Sequence, residues 1–154
     1  MQLLSKNFTA EEFYKSPTAI RYGINNRPNA EVLSNLTVLV NDLLQPLRDK
    51  LEKPIKILSG YRCLELNKVV GGAVNSDHIK GYAADIEVQG MDNKELFLFI
   101  RDNFRFTKLI LEFYEEGIPD SGWLHLSYNP KELTRYCYIA KKDSKGKTIY
   151  IPCV

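Results

Sequence analysis

The chain is expected to fold as an α+β domain, a small antiparallel sheet flanked by helices. Three observations carry that expectation. Apolar residues recur at helical spacing between Asn29 and Leu51, short alternating runs dominate after Phe104, and the segments between those runs are short and polar. At 154 residues the chain reads as one domain over 1–154, since domains usually run about 100–200 residues. The sequence contains no internal repeat, low-complexity segment or linker.

The elements follow in order. Asn7 to Phe13 holds a capping box, with Thr9 followed by Glu12, and Phe8 and Phe13 are placed to staple the short helix to the core. From Ser16 to Pro28 the Pro, Gly and Asn content predicts an irregular loop, and a loop of this length inside a compact domain suggests the lining of a cleft. Val32, Leu33, Leu36, Leu39, Val40, Leu43, Leu44 and Leu47 then mark the strongest helix, which Pro46 is expected to kink or end.

Pro54 to Gly60 reads as a strand, and Tyr61 to Val70 as a helix stopped by Gly71-Gly72. Gly72 to Lys80 is expected to be loop. Tyr82 to Val88 alternates as a strand, with Asp85 and Glu87 on one face and Ile86 and Val88 on the other. Asp92 to Phe104 is helical, starting at an aspartate. Leu109 to Tyr114, Trp123 to Tyr128, Tyr136 to Ala140 and Thr148 to Ile151 complete the strands, the last two joined by a turn over Asp143 to Lys147.

Composition narrows the function classes. A hydrophobic share of 44% and a charged share of 26% match an ordinary soluble globular protein. Lys plus Arg at 21 against Asp plus Glu at 19 leaves a net charge of +2, with no basic stripe for nucleic acid. No stretch is apolar enough for a signal peptide or a membrane span. Synthesis in the cytoplasm is the expectation. Cys63, Cys137 and Cys153 lack the close-spaced pairs of a zinc finger and are expected as reduced thiols, with a Cys137–Cys153 bridge across the terminal hairpin as the alternative.

The chain has only 2 histidines. His78 lies in the loop before the strand that carries Asp85, and His125 lies in the alternating run Trp123 to Tyr128. Two imidazoles and a carboxylate make the three-ligand set of a catalytic zinc, which keeps a fourth position open. Gly81, between His78 and Asp85, permits a tight turn and a close approach to a metal. Ala83 and Ala84 keep the surroundings small, Ser76 can orient the loop through the backbone, and Trp123 can wall the site against water. Each ligating histidine also needs an acceptor for its other ring nitrogen.

Ser59-Gly60-Tyr61-Arg62, Asn67, Gly71-Gly72, the run Ser76 to Asp85, and Trp123-Leu124-His125-Leu126-Ser127-Tyr128 together resemble the zinc D-Ala-D-Ala carboxypeptidases and endopeptidases of the M15 peptidase family. Phe8-Thr9, Asn25-Asn26-Arg27-Pro28 and Leu44-Gln45-Pro46-Leu47-Arg48 extend the resemblance to a branch common in phages and prophages, so that nearly the whole chain is covered. The resemblance implies the fold shared with the Hedgehog signalling domain and zinc held by His78, Asp85 and His125. It further implies Arg62 at the substrate carboxylate or oxyanion, with Tyr61 and Ser76 as substrate contacts.

The proton carrier departs from the pattern. Several branches place Asp or Glu three residues before the second histidine, where this chain has Gly122. Glu112, a lone carboxylate in an apolar strand, is the replacement, because desolvation raises a carboxyl into the range useful for proton transfer. Asp120 and Glu116 are the runners-up. The implied activity is hydrolysis of a D-amino-acid-containing bond in peptidoglycan stem peptides, by a carboxypeptidase or an endolysin-like endopeptidase acting at the cell wall after release or delivery. The competing class is a non-catalytic zinc-containing wall-binding module.

Overall fold

A computed structural model of the chain describes residues 1–153. A two-stranded ribbon of β1 (Leu3–Ser5) and β2 (Phe8–Thr9) opens the chain. These strands are too short for alternation to reveal them. The helix α1 (Glu11–Tyr14) follows, with the Glu12 carboxylate accepting from the Thr9 N–H at 2.7 Å and from its hydroxyl at 3.0 Å. The Phe8 and Phe13 rings, 6.2 Å apart and both buried, staple this end to the core.

The segment expected to be irregular contains a short helix, α2 (Pro17–Arg21). Ser16 Oγ accepts from the Ala19 N–H at 3.1 Å and Pro17 occupies the first turn, a start signal that the surrounding loop-forming residues masked. As expected the segment lines a cleft, a pocket between Glu11, Tyr14 and Arg27, but a separate one from the cleft at His78, Asp85 and His125. Its contribution is Asn26, whose Nδ2 donates to the carbonyls of Tyr14 and Tyr61 at 2.9 and 3.0 Å while its Oδ1 accepts from Cys63 N–H at 2.8 Å.

The long helical stretch runs through α3 (Ala30–Leu39), one π turn (Val40–Leu44) and α4 (Gln45–Leu51). Pro46 does not end it. The backbone widens ahead of the proline, so that Gln45 N–H bonds the Val40 carbonyl five residues back, which accommodates a ring that could not fit a regular turn. The extra residue keeps Leu36, Leu39, Val40, Leu43, Leu44 and Leu47 all fully buried in one core.

Six strands form the main sheet: β3 (Ile55–Ser59), β4 (Ala83–Val88), β5 (Lys108–Glu112), β6 (Trp123–Ser127), β7 (Tyr136–Lys142) and β8 (Thr148–Pro152). Their order is β3-β4-β6-β5-β7-β8. The sheet is larger than the small one expected, and its β5/β7 pair is parallel while the others are antiparallel. The path of the chain explains the exception. Strand β6 ends beside the start of β5, and Arg135 and Tyr136 N–H then bond the Phe106 and Thr107 carbonyls there, so β7 sets out in the direction of β5.

Of the remaining helices, α5 (Leu64–Val69), the one-turn α6 (Asp77–Lys80) and α7 (Asn93–Asn103), the last is capped by Asp92 and contributes Leu96, Phe97 and Ile100 to the core. Ala84, Ile86, Leu109, Leu111, Leu124 and Leu126 face that core from the sheet, which leaves Asp85, Glu112 and His125 on the opposite face by the strand period of two. Cys137 and Cys153 stand across the β7–β8 hairpin, Cys153 N–H bonding the Cys137 carbonyl at 2.9 Å, and all three cysteines are free thiols. Among the described residues no helix is long and apolar enough to cross a membrane.

Candidate metal centre

The register of β4 on β6 places Asp85 directly opposite His125. Cross-strand partners share a face, with Cβ atoms about 4.5–5.5 Å apart. His78 reaches the same point from a one-turn helix, α6 (Asp77–Lys80), where loop was expected. Ser76 Oγ starts that turn by accepting from the His78 N–H at 3.2 Å, and Gly81, at φ +80°, ends it. A Cβ on Gly81 would lie 2.8 Å from the Val32 carbonyl oxygen of α3. The glycine therefore serves the left-handed turn and the helix packed beneath it, rather than an approach to the metal.

His78 Nε2 and His125 Nδ1 lie 3.3 and 3.2 Å from Asp85 Oδ1, and the three donor atoms all fall within 4.8 Å of one another. His78 Nδ1 is 2.7 Å from the Gly60 carbonyl oxygen. A carbonyl only accepts, so Nδ1 carries the hydrogen and the Nε2 lone pair points to the cluster. Burial alone would raise the Asp85 carboxyl, but the hydrogen bonds and charges of His125 and His78 outweigh it and hold the group well below the usual carboxylate range. Two nitrogen lone pairs and an ionised carboxylate converging on one point fit a divalent cation with an open coordination position.

Glu112 joins this site from β5. It stands opposite Trp123, and His125 stands opposite Ile110, so Glu112 and His125 are diagonal neighbours on one face. Burial pushes the Glu112 carboxyl up and the negative Asp85 adds to it, against the opposing pull of His125, the Trp123 indole and Arg62. The indole N–H is itself buried, with no hydrogen-bond acceptor among the described residues. Arg62 Nη2 reaches Ser76 Oγ at 3.5 Å, the outer limit of a hydrogen bond, and its buried Nε has no partner among the described residues. Burial lowers the Arg62 pKa while Asp85 and Glu112 oppose the shift, and a guanidinium keeps its charge under such conditions. These groups open onto a cleft of about 840 Å³.

A model of the peptidase M15 family matches residues 6–125, most of the chain and every residue of this cluster. The chain belongs to the peptidase M15 family. No curated protein matches it closely enough to stand as a relative. Membership implies a peptidase, and peptidases of this family depend on a metal, for which the His78, Asp85 and His125 group offers the site.

For this M15 peptidase the other residues singled out from sequence divide. Arg62 and Ser76 line the cleft with the metal group and Glu112. Tyr61 does not; its N–H bonds the Phe13 carbonyl at 2.6 Å and its ring packs against the core. Asp120 lines a separate cavity beside Lys56 and Asn93, and Glu116 is ion-paired with Lys94 on the surface. Sequence reasoning passed over Gly60, the acceptor for His78. It also passed over Lys108, Tyr138, Lys142 and Tyr150, which line the cleft and were detectable only as same-face positions of their strands.

Proposed function

We propose that this M15 peptidase is a zinc enzyme that hydrolyses a D-amino-acid-containing bond in peptidoglycan stem peptides, acting at the cell wall after release or delivery. The observation that carries the reading is a convergent donor set of Asp85 and His125 on one face of the sheet and His78 from α6, beside Glu112, a carboxyl that burial pushes up. Zinc at that donor set supplies a Lewis acid for the scissile carbonyl and lowers the pKa of water toward ~7.

The chain's own residues do the rest. Glu112 accepts a proton from the attacking water and hands it to the leaving amine, a role suited to a carboxyl that burial raises above its ordinary value. Arg62, with Nε unpaired and charge retained, offers its planar fork to the substrate carboxylate or the developing oxyanion. Trp123 shields Glu112 from bulk water, and Ser76 holds both the His78 turn and the Arg62 head group.

Mass spectrometry of purified peptidoglycan fragments incubated with the protein, with and without zinc, tests the reading and identifies the bond, separating a carboxypeptidase from an endopeptidase of the phage endolysin kind. New fragments that depend on zinc and vanish in Glu112→Gln are expected. Intact stem peptides after incubation with zinc-loaded wild type would sink the enzyme and favour a zinc-containing wall-binding module.

A further inference from the structure

The family match ends on His125, yet the cleft does not. Tyr138, Lys142 and Tyr150, all from the β7–β8 hairpin, form one wall of it, together with Lys108 from β5. The register explains how a terminal hairpin reaches the site. Ile110 lies between His125 and Tyr138, and Ala140 lies between Glu112 and Tyr150. Ala140 is fully buried. Glu112, Ala140 and Tyr150 share one face of the sheet, and burial first and the Glu112 charge second raise the Tyr150 phenol above its ordinary value.

The wall has an ordered surface. Tyr138 packs edge-on against Tyr150 with centroids 6.5 Å apart, and Tyr150 is 52% exposed. Rigid aromatic rings of this kind offer contact area at low entropic cost. Lys142 Nζ sits 5.4 Å from the Phe113 ring and donates to Thr148 Oγ1 at 2.8 Å, which holds its ammonium at the cleft edge. Among the described residues neither Lys108 nor Lys142 has a carboxylate within ion-pair distance.

Along the strands the two lysines mark the ends of the wall. Lys108 is level with Tyr136, and Lys142 is the far end of β7, a separation of ~20 Å at about 3.3 Å per residue. That span matches an extended peptide of about six residues. Arg62, Lys108 and Lys142 balance Asp77, Asp85 and Glu112 in the cleft lining, and a divalent cation held at the His78, Asp85 and His125 group would tip the cleft toward a ligand of negative charge.

We propose that the β7–β8 hairpin, with Lys108 of the adjoining β5, is the specificity wall of the cleft, Lys108 and Lys142 each pairing a carboxylate of an extended anionic peptide that lies along Tyr138 and Tyr150. Resting on the peptidase reading above, it names the feature by which a stem peptide is selected, its free carboxylates, at Tyr138, Lys142 and Tyr150 outside the family match and at Lys108 within it. A neutral peptide of equal length loses both ion pairs and is discriminated against by their sum.

The experiment uses fluorescence anisotropy of a labelled stem peptide, and of the same peptide with its carboxylates amidated, on the zinc-loaded Glu112→Gln protein, which cannot consume the probe. Lys108→Glu and Lys142→Glu are each expected to weaken binding of the acidic peptide about tenfold and of the amidated peptide less than about twofold, with the difference shrinking as salt is added. Conserved melting temperatures show that the variants fold. Unchanged affinity in both variants, equal losses for both peptides, or no binding of the acidic peptide overturns the proposal. Lysine-dependent binding by a protein whose wild type leaves peptidoglycan uncut would keep this proposal and sink the catalytic reading. Cleavage with unaltered KM in both lysine variants would do the reverse.

Discussion

A Cβ on Gly122 would lie 2.0 Å from the carbonyl oxygen of Glu112, and Gly122 holds φ at +63°. The position three residues before His125 thus has no space for a side chain, because the backbone of Glu112 fills it. The clash is with backbone atoms of residues 112–114, so it accounts for the absence of a carboxylate at 122 whatever side chain stands at 112.

Gly122→Asp is therefore expected to lower stability by about 2 kcal/mol or more, from the left-handed conformation together with the forced backbone shift. It should not supply a proton carrier to a Glu112→Gln protein. Urea titration reads the stability, and an unchanged midpoint in Gly122→Asp would contradict the geometry.

Glu112 gives a signed pH dependence. Its folded pKa is raised above the unfolded value by burial first and Asp85 second, so between those two values the folded state binds more protons than the unfolded one. Stability then falls as pH rises through that window. In metal-free protein, Glu112→Gln should melt higher than wild type at neutral pH, and the gain should disappear on acidification below the unfolded carboxyl range. Melting curves across pH in a chelator read this, and a pH-independent difference would count against it.

Metal loading should be visible in stability as well as in chemistry. A cation that binds the folded cluster and not the unfolded chain stabilises by about 2.7 kcal/mol at a hundredfold excess over its Kd. Chelation is expected to lower the melting temperature of wild type and to leave His125→Ala, which lacks one of three ligands, unmoved. Zinc content by atomic absorption should drop from about one per chain to near zero in that variant.

Gly60 is the least obvious residue the site depends on. Its carbonyl accepts the His78 Nδ1–H at 2.7 Å, and a Cβ added to it would meet the Phe13 carbonyl oxygen at 2.5 Å. Gly60→Ala should push the end of β3 away from α1 and shift the acceptor that orients His78. A loss of about 10–100-fold in zinc affinity is expected, the size seen when such outer partners are removed. Competition with a zinc dye measures it, and wild-type affinity would show that the carbonyl does not orient the ring.

The helices and strands were largely legible because their signals are local. The 3.6-residue recurrence from Val32 to Leu47 and the alternation around Asp85 are properties of neighbouring residues. Where short-range rules competed, the reading slipped. Turn-forming residues concealed α2 and α6, and Pro46 suggested a break where one π turn absorbs it.

By itself, then, the sequence determined the α+β class, the order of most elements, and the scarce side chains of the candidate metal site, since a chain with two histidines has few ways to build one. Only the tertiary structure decided what lies between residues far apart along the chain. It set Asp85 against His125 across a strand register and turned β7 parallel to β5. It also brought the Gly60 carbonyl to His78, left Tyr61 against the core, and put Glu112 rather than Asp120 or Glu116 in the cleft. Strand register and helix docking follow from how whole apolar faces close together, and that energy is shared among many distant side chains rather than written in any short stretch.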